Sequence, residues 1–128
     1  MNIEQLRDYC LSLPFTAEKT PFAGFFPSAR DILVFYVGEK IFCYFNINKF
    51  DQCSLKCAPE RIAELKERYQ AVGNPFNMSP KYWISIRFND DLPDALILDL
   101  VQQSYNLVLA SLPKKQREQL GQPGANGL

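Results

Sequence analysis

From residue 81 the side chains alternate in character. Tyr82, Ile84, Ile86 and Phe88 fall on one side and Lys81, Trp83, Ser85 and Arg87 on the other, the two-residue period of a strand with unlike faces. The first face is wholly apolar and predicts burial. The second sets the only tryptophan of the chain between two cations. Near the start the period changes to that of a helix: Ile3, Leu6, Cys10 and Leu13 form one stripe over residues 2–13. Asn2 is placed to cap it with Gln5 answering three residues on, and Pro14 stops it.

Residues 14–31 are broken by Pro14, Pro21, Gly24 and Pro27, and Phe22, Phe25 and Phe26 suggest a short edge strand there. Two β-rich runs, 32–37 and 40–46, flank Gly38-Glu39, which predicts a hairpin with a type II′ turn. The second run is expected to pair with residues 51–57 across a loop holding Asn46, Asn48 and Lys49. With Cys43 opposite Cys53, Ile41 meets Leu55 on the buried face, Cys57 joins them, and the other face carries Phe42, Tyr44, Gln52, Ser54 and Lys56.

Pro59 opens a second helix over 59–70 with a narrow stripe of Ile62, Leu65 and Tyr69, ended by Gly73-Asn74-Pro75. After the tryptophan strand, Asp90 and Asp91 suit the N-terminus of a last helix beginning near Pro93. Its broad stripe, from Ile97 through Ser104 to Leu112, marks a core helix, and Pro113 ends it. Residues 1–113 thus form a single domain. Residues 114–128, with few apolar anchors, are expected to be a disordered tail. Helices at both ends of an antiparallel meander predict an α+β two-layer sandwich with the helices packed on one face of the sheet. Such a sheet can leave its other face open.

Composition narrows the function classes. Fourteen basic and fourteen acidic residues cancel, so any attraction for nucleic acid must be local. The run Ile32–Val37 is too short to span a bilayer, which takes roughly 20 residues, and the first residues lack a signal-peptide layout. A cytoplasmic protein with no membrane partner is expected, its four cysteines (Cys10, Cys43, Cys53, Cys57) reduced and mostly buried. The chain has no histidine, no CxxC and no glycine-rich phosphate loop. It therefore offers no common general base, zinc set or nucleotide cradle. No catalytic residue, metal ligand, cofactor or small-molecule substrate is assigned, and no enzyme is expected. Glu4 and Asp8 read as a solvated helix face. Ser104 reads as a packing residue bonded back to its own helix, and Tyr105 as a half-buried rim residue.

What remains is the open sheet face. Phe42, Tyr44, Lys56, Lys81, Trp83 and Arg87 interleave rings with cations. That pattern can stack bases and neutralise phosphates. It also suits a protein interface, where Trp, Tyr and Arg serve as anchors, or rings simply covered by the C-terminal segment, a loop or a second subunit, and zero net charge favours these two over nucleic acid.

Several segments resemble, in order, the MmcQ/YjbR-like family. They are Pro21-Phe22, Gly38-Glu39-Lys40-Ile41-Phe42, Leu55-Lys56-Cys57 before Pro59-Glu60, Met78-Ser79-Pro80-Lys81-Tyr82-Trp83-Ile84, Leu92-Pro93-Asp94 and Ser104-Tyr105. The resemblance runs from about residue 2 to residue 115. It implies a CyaY-like (frataxin-like) sandwich and a double-wing DNA-binding protein. The wings would be the Gly38-Glu39-Lys40 hairpin and the loop at Asn48-Lys49, adding Lys40 and Lys49 to the candidate contacts. The family usually has Asn where Ser79 stands and His where Tyr82 stands, so no imidazole is available here. Iron handling is not carried over from the frataxin likeness, because the first helix offers only Glu4 and Asp8. The expected ligand is DNA, or else another protein on the same face.

Overall fold

A computed structural model describes residues 1–22, 30–76 and 78–120. Helix α1 spans Ile3–Ser12, and its entry is the expected reciprocal cap: the Asn2 side chain accepts from the Gln5 N–H at 2.8 Å while the Asn2 N–H donates to Gln5 Oε1 at 3.0 Å. Strands β1 (Thr16–Lys19), β2 (Ile32–Val37), β3 (Lys40–Asn46) and β4 (Gln52–Lys56) follow, then α2 (Pro59–Arg68), β5 (Val72–Gly73) and β6 (Trp83–Arg87). Helices α3 (Asp94–Ser111) and α4 (Lys114–Gln119) end the described chain. The sheet is antiparallel throughout, in the order β1-β2-β3-β4-β6-β5.

All the helices that contribute fully buried side chains share one core with one sheet face. Leu6 and Cys10 of α1, Ile62 and Leu65 of α2, and Ile97, Leu100, Val101 and Val108 of α3 join Phe35, Cys43, Leu55, Ile84 and Ile86 in a single apolar cluster. Helix α3 lies across β3 and β4. The architecture is the expected α+β sandwich with its helices on one side.

Several local expectations are corrected. The edge strand is Thr16–Lys19; Phe22 lies beyond it in a turn, and Phe25 and Phe26 fall outside the described residues. Both turn residues of the β2–β3 hairpin have positive φ, +56° at Gly38 and +67° at Glu39, the signature of a type I′ turn and not of II′. Cys43 faces Leu55 and Phe45 faces Cys53, a register two residues from the expected one that keeps every β4 side chain on its expected face. The strand β5, only two residues long, was not foreseen; it takes the edge beside β6. Tyr82 precedes β6 and is exposed, so the apolar side of that strand is Ile84, Ile86 and Phe88.

The charges before α3 also go elsewhere. The Asp91 carboxylate accepts the backbone N–H groups of Gln70 (2.7 Å) and Ala71 (2.9 Å), and Asp90 pairs with Arg87. The segment expected to be a disordered tail contributes α4. Gln116 Nε2 donates to the Gly38 carbonyl at 2.7 Å, which fastens this helix to the β2–β3 turn.

Candidate functional site on the sheet face opposite the helices

The parity of β6 decides which side chains can meet a ligand. Ile84 and Ile86 are fully buried under the helices, so Trp83, Ser85 and Arg87 project from the other face. Cross-strand pairing carries this face along the sheet. Trp83 lies opposite Lys56, Ser85 opposite Ser54, and Ser54 opposite Tyr44. Directly paired side chains stand about 4.5–5.5 Å apart at Cβ. The half-buried rings of Trp83 and Tyr44 have centroids 6.0 Å apart and are tilted by 47°. Burial pushes the Tyr44 phenol up from its ordinary pKa, and its hydroxyl donates to the Phe76 carbonyl at 2.8 Å.

Phe42 does not belong to this face. Between the pairs Phe35–Cys43 and Tyr36–Ile41 the register of β3 slips by one, leaving Phe42 as the extra residue of a β-bulge. The bulge turns Phe42 inward beside Cys43. Its ring is 0% exposed and meets Tyr105 edge-on at 5.4 Å. Tyr105 is accordingly a core residue, with its hydroxyl donating to the Pro14 carbonyl at 2.6 Å. Ser104 fills the gap in the strand ladder: its buried hydroxyl donates to the Phe42 carbonyl (2.6 Å) and accepts the Lys56 N–H (2.9 Å). The expected bond back to its own helix is not made.

The cations are scattered. Lys56 and Lys81 have no ion pair among the described residues. Lys81 sits in the turn before β6 with its ammonium 5.4 Å from the Tyr82 ring centroid. Arg87 is exposed but engaged, bonding Asp90 at 3.1 Å and the Gln70 carbonyl at 2.8 Å. Lys40 pairs across from the buried Val37, so its register belongs to the helix side of the sheet. Lys49 is exposed at the far end of β3, roughly 20 Å from Lys40 by strand rise. The two candidate wings therefore lie at opposite ends of the sheet. One is braced by α4. In the other, Asn46 accepts the N–H groups of Asn48 and Lys49, and Asn48 donates to Asp31 at 2.6 Å.

One property of this face is hidden in the chain totals. Its strand positions include Lys19, Lys56 and Arg87 and no carboxylate. The acids concentrate on the helices: Glu4 and Asp8 on α1, Glu60, Glu64 and Glu67 on α2, Asp94 and Asp99 on α3. Phe76 was also missed. It is 74% exposed, and its carbonyl is held by Tyr44. The only sequence signal was its place after the breakers Gly73, Asn74 and Pro75. Among the described residues no group of three His, Cys, Asp or Glu side chains is arranged to hold a metal ion. None of the described helices is long and apolar enough to cross a membrane.

The YjbR family model matches residues 11–107, which include α3 as far as Leu107 and the whole sheet. The chain belongs to the YjbR family. Among curated YjbR-like relatives, the uncharacterized protein YbdF of Escherichia coli O157:H7 is 29% identical over 122 residues, covering 94% of each chain. The uncharacterized protein YjbR of Escherichia coli K12 is 25% identical over 124 residues, covering 95% of this chain and 99% of that one. Of solved structures, the Deinococcus radiodurans protein DR2400, described with domain DUF419, superposes with a TM-score of 0.82 at 28% identity, over 94% of this chain and 88% of that one. A Pseudomonas syringae protein at 24% identity shares the fold, with a TM-score of 0.68 over 84% of this chain and 99% of that one.

Proposed function

We propose that this YjbR-family chain is a non-enzymatic nucleic-acid-binding protein that takes its ligand on the helix-free face, at the Trp83 end. The observation that carries the reading is the separation of charge across the sandwich. A chain of zero net charge keeps carboxylates off the strand positions of one face and sets Lys56 directly opposite Trp83 there. Rings beside cations suit bases and phosphates, and DNA is the ligand that the family resemblance implies. The test is a titration of labelled DNA followed by anisotropy at about 50 mM salt, repeated at rising salt. Binding that weakens with salt and drops on combined Lys56→Ala and Lys81→Ala is expected. No binding, or binding indifferent to both lysines, overturns the reading.

A second reading, a protein-interaction module on the same face, is favoured by Phe76, a ring 74% exposed in the segment that the Tyr44 hydroxyl holds over this face, since aromatic rings are the usual interface anchors. Under it, Phe76→Ser abolishes capture of a partner while Lys56→Ala leaves capture intact. The nucleic-acid reading expects the reverse order of sensitivity toward DNA.

A further inference from the structure

Resting on the nucleic-acid reading, we infer that the ligand is an unpaired strand, gripped at a nucleotide whose base stacks on Trp83 and whose phosphate meets Lys56, and not a duplex laid across the sheet. The first ground is the shape of the face. Its middle row, Val34, Ser54 and Ser85, is buried. Over this part of the sheet the segment after β5 is fastened by two bonds, from Ser85 Oγ to the Asn74 carbonyl (3.1 Å) and from the Tyr44 hydroxyl to the Phe76 carbonyl. Bonded to β6 at Asn74 and to β3 at Phe76, the segment crosses the outer face between them, where a rigid double helix laid flat on the strands would have to lie. A single strand bends around the segment.

The second ground is where unspent charge lies. A duplex is held by phosphate contacts spread on both sides of a groove, about 12 Å wide on the major side. Here Arg87, four residues along β6 from Trp83, is already held by Asp90 and Gln70. Lys40 and Lys49 sit on another register and at another end. Lys19 is on this face too, but at the β1 edge, three strands from Lys56, with its ammonium 5.5 Å from the Tyr36 ring centroid. Beside the indole stands Lys56, one cross-strand step away, with Lys81 two residues before Trp83 in the chain. Side chains that start about 5 Å apart at Cβ can reach the base and the phosphate of one nucleotide. Stacking on the ring also requires a base whose face is free, which an unpaired strand offers and a duplex offers only after flipping.

Trp83 is the sole tryptophan, so its fluorescence reports this site alone. The probes are a short oligothymidylate, a duplex of the same length, and an abasic strand with the same number of phosphates, each titrated into the full chain at about 50 mM salt. The oligothymidylate is expected to quench the indole and to bind roughly tenfold more tightly than either other probe, the worth of one stacked base. With two lysines engaged the log–log salt slope is about −1.4, falling toward about −0.7 in Lys56→Gln. Circular dichroism checks the fold of that variant. Trp83→Phe, which keeps a ring, should retain more affinity than Trp83→Ala, both read by anisotropy of a labelled oligothymidylate because neither keeps the indole. A duplex or an abasic strand that binds as tightly as the oligothymidylate overturns the inference but leaves a charge-driven nucleic-acid binder. If none of the three probes binds, the inference and the reading beneath it fall together.

Discussion

Replacing Ser104 by alanine removes one oxygen and strands two backbone groups. The Ser104 side chain is fully buried on α3, and its hydroxyl serves the carbonyl of Phe42 and the N–H of Lys56 at once, at 2.6 and 2.9 Å. Neither group has a ladder partner to fall back on, because the bulge at Phe42 ends the regular pairing of β3 with β4 at Cys43–Leu55. A buried donor or acceptor left unpaired costs about 1–3 kcal/mol, so the pair should cost about 2–4 kcal/mol. Taken against a typical stability of about 5–15 kcal/mol that is a large fraction, and for a chain of this size it lowers Tm by roughly 8–15 °C. The same helix supplies the control. Ser111 is exposed and its hydroxyl only bonds back to the Val108 carbonyl at 2.7 Å, so Ser111→Ala should cost under about 0.5 kcal/mol. Urea melts read by Trp83 fluorescence and by circular dichroism measure both variants. If Ser104→Ala proves no more costly than Ser111→Ala, the hydroxyl is not completing the sheet and this account of the bulge is wrong.

Two further predictions concern the backbone. Gly38 has φ +56°, and a Cβ there would lie 2.5 Å from Leu112 Cδ1, the end of a side chain that would have to shift; Gly38→Ala should therefore destabilise by at least the roughly 1–2 kcal/mol of left-handed strain, whereas Glu39→Gly, at φ +67°, should be neutral or stabilising in the same melts. The N–H groups of Gln70 and Ala71 hold the Asp91 carboxyl below its usual pKa of 3.8. Its contribution to stability is thus complete above that value and fades as pH falls through its own lower pKa. Asp91→Asn should flatten this part of the acid limb of a stability–pH profile, and an unchanged limb would refute the capping role.

The elements that periodicity gave correctly are those whose side chains repeat over several turns or pairs: α1, α2, α3, the β2–β3 hairpin and β6. Each buries a continuous stripe, and a stripe is visible in one dimension. The errors share another cause. A strict two-residue alternation places Phe42 with Tyr44, and a one-residue slip in β3 sets Phe42 beside Cys43 in the core. No local residue announces that slip, because the bulge is stabilised from 62 positions away by Ser104. Helix α4 was missed for a similar reason. Its sequence is polar, and what docks it is a glutamine on a turn carbonyl together with the partly buried Leu120. Arg87 looked available because its partner Asp90 lies beyond the strand, where alternation no longer assigns faces.

The bulge also sets the composition of the candidate site. With Phe42 turned inward, Tyr44 is the β3 ring that approaches Trp83, and Lys56 is the β4 cation beside it. The backbones of Phe42 and Lys56 are the two groups that Ser104 joins from the helix side. The strands whose outer side chains form the site are thereby pinned from behind by a single buried hydroxyl, and α3 couples the core to the far face without any of its own residues reaching it. Chain-wide neutrality conceals the outcome, since the alternation that sends apolar groups inward also sorts the charges. Most carboxylates lie on the helices or in turns, and the strand positions left outward hold cations, polar groups, rings and a few aliphatic side chains such as Val34, but no carboxylate. Under the proposed function, an anionic ligand meets a locally cationic face on a protein of zero net charge, and its binding rests on contact-range forces and not on long-range steering.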